Sequence, residues 1–267
     1  MPAVRVVKAH AYGNDFVCAP AEDVGTDRSA LARAICHRHQ GIGADGLLVY
    51  TLRDRGASMT LLNADGSWSE LSGNGLRCLA AIVARDQGLM LGAVVTIETD
   101  AGVKPLQLLS RDDQRYTFRA AMGPPTNLRQ AKIDVLGESV TASVLEIGNP
   151  QCVVLGPLPD PDRFNRLAPA LATHPLFPAG TNVEFAQVER PDRVRIVIWE
   201  RGVGPTTSSG TGSSASAVAA AAHGGASRTV DVVAPGGIQH VEWRDDGVHL
   251  TGWAEVVLEG IWVGKPA

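Results

Sequence analysis

The sequence predicts an α+β protein made of two pseudo-symmetric halves, and three observations carry that expectation. First, two segments share one design: Asn63-Ala-Asp-Gly-Ser-Trp-Ser-Glu-Leu-Ser72-Gly73-Asn74-Gly75 and Glu200-Arg-Gly-Val-Gly-Pro-Thr-Thr-Ser-Ser209-Gly210-Thr211-Gly212, with Asn63 and Glu200 each nine residues before the serine. Second, further landmarks repeat in the same order: Gly13-Asn14 matches Gly148-Asn149, and Gly43 and Gly180 each lie 29 residues before their serine. Third, strand-like and helix-like runs interleave along both halves.

The elements follow from hydrophobic spacing. Val4 to Ala9, Val94 to Glu98 and Arg115 to Arg119 alternate as half-buried strands, while Ser29 to His37 and Gly75 to Arg85 carry helical spacing. The cluster Met122-Gly-Pro-Pro-Thr126 predicts a boundary between halves. Beyond it, Val140 to Leu145, Cys152 to Leu155, Arg193 to Trp199 and Val230 to Val233 read as strands, and Ser213 to His223 as a helix. Six prolines from Pro157 to Pro178 predict a long surface excursion around a short helix near Arg163 to Leu171. The stretch Gly252 to Val263 reads as a strand returning to close a sheet. The expected halves are therefore 1–118 with the closing strand 253–267, and 119–252.

At 267 residues each half is large enough to bury its own core. A net charge of −4 offers no basic face, so no nucleic-acid partner is expected. No apolar run reaches membrane-spanning length and no signal-peptide core follows Met1, so the expectation is a soluble cytoplasmic protein with no membrane partner, free to form a homodimer. The four cysteines, Cys18, Cys36, Cys78 and Cys152, stand singly with no CxxC pair. That argues against metal or redox-disulfide chemistry, and the apolar surroundings of Cys18, Cys78 and Cys152 predict small buried core residues.

Each Gly-x-Gly turn opens an Ala-rich run that reads as a helix. The unpaired N–H groups and the dipole at such a helix start suit a carboxylate or phosphate. Two such turns in matching halves predict a shared anion site.

The motifs Lys8-Ala-His-Ala-Tyr-Gly-Asn-Asp-Phe16, Gly41-Ile-Gly-Ala-Asp-Gly-Leu-Leu48, Gly73-Asn-Gly-Leu-Arg-Cys78, Gly148-Asn-Pro150, His174-Pro-Leu-Phe-Pro-Ala-Gly-Thr-Asn-Val183 and Trp199-Glu-Arg-Gly-Val-Gly204 occur in order along the chain. In these it resembles the diaminopimelate epimerases over essentially its whole length. The resemblance implies two mirrored halves, each a mostly antiparallel sheet wrapped around a central helix, with Ser72 and Ser209 facing one another across a cleft. It also implies an isomerase of amino-acid metabolism that inverts an α-carbon without pyridoxal phosphate, any other cofactor or a metal. One cysteine thiolate removes the α-proton, a second thiol returns one on the opposite face, and the helix starts hold the α-carboxylate. By the same resemblance Asn14, Asn63, Gly73, Asn74, Asn149, Asn182, Arg201, Gly210 and Thr211 hold an amino-acid-like small molecule, and Glu200 and the residue at Gln151 stand beside the catalytic pair.

The catalytic positions depart from that pattern. Ser72 and Ser209 occupy the places of both thiols, Gln151 replaces the histidine of Gly-Asn-Pro-His, and Gly204-Pro205-Thr206 replaces Gly-Glu-Thr. A hydroxyl taken as water-like ionises roughly seven pKa units above a thiol, so its anion costs on the order of 10 kcal/mol more. A helix start worth about 2 kcal/mol leaves most of that gap open. Serine then needs a neighbouring base, and Gln151 supplies none. Asp15, His10 and Glu70 lie in nearby motifs, where the ordinary role is to cap turns and orient loops.

Three readings stand on this pattern. One is an enzyme of altered chemistry, an isomerase, lyase or cyclase acting on an amino-acid-derived substrate. The second is an authentic epimerase, with weak serine-assisted activity or with serine substituted for its cysteines. The third is a non-catalytic amino-acid-binding homologue.

Overall fold

The computed structural model describes residues 3–69, 72–100 and 102–264. The backbone divides into two compact units, residues 1–120 with 252–267 and residues 121–251.

In unit 1, β1 (Val4–Ala11) turns back through Tyr12 and Gly13, both at positive φ, into antiparallel β2 (Asn14–Pro20). Helix α1 (Arg28–Cys36), capped by Asp27 on the Ala30 N–H, connects β2 to β3 (Gly46–Arg53), which lies parallel to it. Strands β4 (Gly56–Asn63) and β5 (Trp68–Ser69) follow antiparallel. Then come helix α2 (Gly73–Asp86), β6 (Val94–Thr99) parallel to β4, and the antiparallel strands β7 (Gly102–Asp112) and β8 (Arg115–Gly123).

Unit 2 repeats this order. After β9 (Thr126–Val135), strands β10 (Glu138–Glu146) and β11 (Pro150–Leu155) are antiparallel; helix α3 (Pro161–Ala172) leads to β12 (Asn182–Arg190), parallel to β11. Strands β13 (Arg193–Glu200) and β14 (Gly204–Thr206), helix α4 (Gly210–His223), β15 (Thr229–Ala234) parallel to β13, β16 (Gly237–Arg244) and β17 (Gly247–Trp262) complete it. Each pairing from β1 through β7 has a counterpart of the same sense from β10 through β16. The last strand of the chain closes unit 1, where Val256 to Trp262 of β17 pair antiparallel with β1.

In each unit helices cover both faces of the strands. In unit 1, Phe16, Cys18, Leu48 and Leu61 pack on α2, while Val17, Leu47, Val49 and Leu62 pack on α1. In unit 2, Val153, Ala186, Ile196 and Ile198 pack on α4, while Cys152, Val183 and Phe185 pack on α3. Helices α2 and α4 are buried nearly all round; α4 is made mostly of small and apolar residues, whereas α2 buries Asn74 and Arg77 among its apolar ones. Each fully buried aliphatic side chain, such as Leu79 or Ile82, contributes about 1.5–3 kcal/mol.

Two sequence expectations change. Strand β8 runs through Met122 and Gly123, so only Pro124-Pro125 interrupts the chain before β9, because two prolines remove two ladder donors while Met122 and Gly123 remain free to pair. The helix expected near Arg163 to Leu171 in the proline-rich segment is present, longer than expected and anchored in the core rather than lying on the surface. It is the 12-residue helix α3, with Pro161 at its start and Asp160 capping the Arg163 N–H, and it buries Leu167, Ala168, Leu171 and Ala172.

Candidate functional site

Ser72 is the N-cap of α2 and Ser209 the N-cap of α4. Their backbones are nearly superimposable in conformation, φ −132° and ψ 121° against φ −138° and ψ 126°. Ser72 Oγ accepts from the Gly75 N–H at 3.1 Å, and Ser209 Oγ accepts from the Gly212 N–H at 3.2 Å. The third residue has little room in both turns: a Cβ on Gly75 would lie 3.3 Å from Ser72 Cβ with Leu48 at ordinary contact distance, and one on Gly212 would overlap Glu184 Oε1 at 2.5 Å. At Gly73, by contrast, a Cβ would meet only open space.

Around Ser72, unit 1 assembles a polar lattice. Asn74 Nδ2 donates to Asn14 Oδ1 at 3.1 Å, Arg77 donates to Asn74 Oδ1, and Asn14 Nδ2 donates to Asp45 at 2.7 Å. Arg77 is buried within α2 beneath the Tyr12 ring, and its guanidinium pKa is lowered by burial. Asp15 bridges Lys8 and Arg38, each at 2.9 Å; burial opposes its ionisation, but hydrogen bonds from Arg38 and Lys8 outweigh that and hold its carboxyl below the ordinary range. Asp15 is thus a clamp on the loop that carries Asn14. Asn63 bonds Ser67 Oγ at 2.9 Å and so secures its own turn. His10 accepts from the Gly13 N–H at 3.3 Å and packs edge-on to Trp253. Glu70 lies outside the described residues.

Unit 2 gathers the remaining candidates on and beside three neighbouring strands, β11, β12 and β13, and at a helix start. Gln151 pairs in register with Asn182, is fully buried and donates to Asn149 Oδ1. Asn182 Oδ1 accepts the Arg201 N–H at 2.9 Å, Thr206 Oγ1 donates to Glu200 at 3.3 Å, and Thr211 Oγ1 lies 3.5 Å from Ser209 Oγ. Gly210 opens α4 between Ser209 and Thr211. Arg201 is exposed, with Nη1 donating to Ala179 O at 2.7 Å, and it edges a cavity of about 640 Å³ bordered by Phe177, Trp199 and Pro205. Sequence reasoning passed over one buried group here, Glu184. Its signal was a lone carboxyl within the apolar run Val183-Glu184-Phe185-Ala186.

All four cysteines are buried, and burial raises each thiol; Cys36 is pushed up to about 12 and the other three are also held protonated. None serves as a thiolate at neutral pH. Among the described residues no group of three or more His, Cys, Asp or Glu is placed to hold a metal, and no helix is long and apolar enough to cross a membrane.

The family model described as diaminopimelate epimerase matches residues 6–128 and 143–257. The chain belongs to the diaminopimelate epimerase family. It is similar to the diaminopimelate epimerase of Desulfitobacterium hafniense, 40% identical over 279 residues that cover 97% of this chain and 98% of that protein. Among solved structures it is similar to a Bacillus anthracis phenazine biosynthesis protein of the PhzF family (TM-score 0.72, 14% identity, 98% and 100% of the two chains). It is also similar to a probable proline racemase of Agrobacterium radiobacter with bound carbonate (TM-score 0.72, 16% identity, 98% and 94%). At these identities the two structures share the fold alone. The α+β fold of paired halves and the family resemblance expected from the motifs are therefore both met, and the family is one of isomerases.

Proposed function

We propose that this member of the diaminopimelate epimerase family binds an amino-acid-derived substrate, for whose carboxylate the serine-capped start of α2 in one unit and that of α4 in the other are each a seat. On that substrate the protein performs isomerisation, elimination or cyclisation in place of two-thiol inversion, without cofactor. One observation carries the reading: Ser72 and Ser209 both act as helix caps, their oxygens accepting N–H bonds from Gly75 and Gly212. An oxygen so held orients the helix start and its neighbouring N–H groups, but a cap bond lowers the hydroxyl's ionisation far too little to make it a base.

The residues divide by role. The open space at Gly73 leaves room for a carboxylate against the start of α2. Asn14 and Asn74 in unit 1, and Asn149, Asn182 and Thr211 in unit 2, offer neutral donors and acceptors to a zwitterion. Asn63 orients its own turn beside Ser72, Glu200 is the carboxylate partner for an ammonium group, and exposed Arg201 meets a distal carboxylate at the rim. Gln151 holds Asn149 in place of a titratable imidazole.

A second reading, an authentic diaminopimelate epimerase with weak serine-assisted activity, is favoured by the 40% identity to the Desulfitobacterium hafniense enzyme over nearly the whole of both chains. Incubation with diaminopimelate isomers and a panel of unsaturated and hydroxylated amino acids in deuterium oxide separates the readings. Proton NMR is expected to show product formation from a panel member and no α-deuteration of diaminopimelate. α-Deuteration of diaminopimelate establishes the second reading, and binding without any turnover establishes a non-catalytic homologue.

A further inference from the structure

Unit 2 buries a carboxyl where unit 1 buries a leucine. In unit 1, Leu48 of β3 pairs with Leu61 of β4, two residues before Asn63; in unit 2, Glu184 of β12 pairs with Ile198 of β13, two residues before Glu200. Leu48 in turn lies beside Cys18 of β2, and Glu184 beside Val153 of β11. The two residues also meet the same point of their helices. A Cβ at Gly75 would stand 3.5 Å from Leu48 Cδ2, and a Cβ at Gly212 would stand 2.5 Å from Glu184 Oε1 and 3.2 Å from Ser209 Cβ. Glu184 is thus the structural counterpart of Leu48, set directly behind the serine turn.

Strand alternation aims it there. Ala186 packs on α4 while Val183 and Phe185 pack on α3, so Glu184 shares the α4 face with Asn182. It has no exposed surface. The titratable neighbours are Glu200 on β13 and the Cys152 thiol on β11, and the first turn of α4 brings no acidic residue. Burial, then the charge of Glu200, raise the Glu184 carboxyl well above the carboxylate range, which favours its neutral, protonated form. An ionised carboxylate there would cancel the positive end of α4. A leucine, as unit 1 shows, fills the position without that burden, so the carboxyl is unexplained by packing.

We propose that Glu184 is the proton-holding positioning residue of the α4 half-site: as a neutral acid it leaves the helix start open to a ligand carboxylate, and binding of that carboxylate is linked to retention of the Glu184 proton. The inference rests on the reading that α4 receives a carboxylate. It gives the two half-sites different characters, one backed by an exchangeable proton and one, at Leu48, by hydrocarbon.

Titration calorimetry of meso-diaminopimelate into the full chain, from about pH 5 to about pH 9 in two buffers of different ionisation enthalpy, tests it. Wild-type protein is expected to take up as much as one proton on binding in the alkaline part of the range, its affinity falling by as much as about tenfold per pH unit there. Glu184→Gln and Glu184→Leu are expected to bind with that proton uptake removed. Equal uptake in wild type and Glu184→Gln, or no uptake by wild type across the range, overturns the proposal; a packing role alone would not move this linkage. If diaminopimelate binds neither wild type nor variants, that result bears on the ligand named under the proposed function, and carbon-13 NMR of the unliganded chain decides the Glu184 proposal. A Glu184 carboxyl still protonated at neutral pH upholds it, and one titrating in the ordinary carboxylate range overturns it.

Discussion

Replacing Ser209 with alanine isolates what the serine oxygens do for the fold. The side chain is 6% exposed and its Oγ accepts the Gly212 N–H at 3.2 Å, so Ser209→Ala leaves that buried donor without its cap. Loss of an N-cap costs about 0.5–2 kcal/mol, and burial places Ser209 at the upper end, about 1.5–2 kcal/mol. Ser72 makes the equivalent bond at 3.1 Å from a half-buried position, where water can take over the Gly75 N–H, so Ser72→Ala should cost only about 0.5–1 kcal/mol. Thermal unfolding followed by circular dichroism reads the difference directly. At about 2–4 °C per kcal/mol for a chain of this size, Ser209→Ala should lower Tm by about 3–8 °C and Ser72→Ala by less. Sulfur is a weak acceptor, so Ser209→Cys should resemble Ser209→Ala. A Ser209→Ala protein as stable as wild type would refute the cap assignment and free the hydroxyl for another role.

Four further outcomes follow from the structure. Because the Glu184 carboxyl is raised in the folded state, the unfolded chain gives up its proton first as pH rises; wild type should therefore lose stability relative to Glu184→Leu from about pH 4.5 upward, and denaturant midpoints that move in parallel would contradict the shift. Gly212→Ala should destabilise by about 1–3 kcal/mol because its Cβ strikes Glu184 Oε1, with recovery in the Gly212→Ala, Glu184→Ala double variant; an additive double variant would show that the two do not meet. Gly73→Ala should fold as wild type yet bind diaminopimelate more weakly, and Arg201→Ala, an exposed rim charge, should cost no more than about 1 kcal/mol of affinity by calorimetry. A hundredfold loss in Arg201→Ala would place that guanidinium in a buried contact instead.

The sequence made the helices plain because caps and glycines mark them: Asp27, Ser72, Asp160 and Ser209 each stand at a helix start with a side chain on the third N–H. The amphipathic strands β1, β6, β8 and β13 were legible by alternation. Strands β2, β3 and β12 were not, because helices cover both faces of the sheets there and every residue of a run such as Leu47-Leu48-Val49 is buried, erasing period two. The serine turns and their flanking asparagines were readable from paired spacing. Glu184 was missed because its meaning lies in a comparison of matched positions, Leu48 against Glu184, that needs strand register. The exposure of Arg201 was also invisible, since the sequence shows a guanidinium beside Glu200 but not that Ala179 O holds it outward.

The central claim is that Ser72, Ser209 and Gln151, which stand where the family resemblance implies two thiols and an imidazole, are enough to remove two-base inversion, with Pro205 not decisive. The direct measurement is solvent deuterium incorporation at the α-carbon of diaminopimelate by the Ser72→Cys, Ser209→Cys, Gln151→His triple variant beside wild type. Thiolate formation at neutral pH costs only about 2 kcal/mol, so the triple variant is expected to exchange measurably, each single variant far less, and wild type not at all. Rapid exchange by wild type that Ser72→Ala abolishes would contradict the account and make serine the working base.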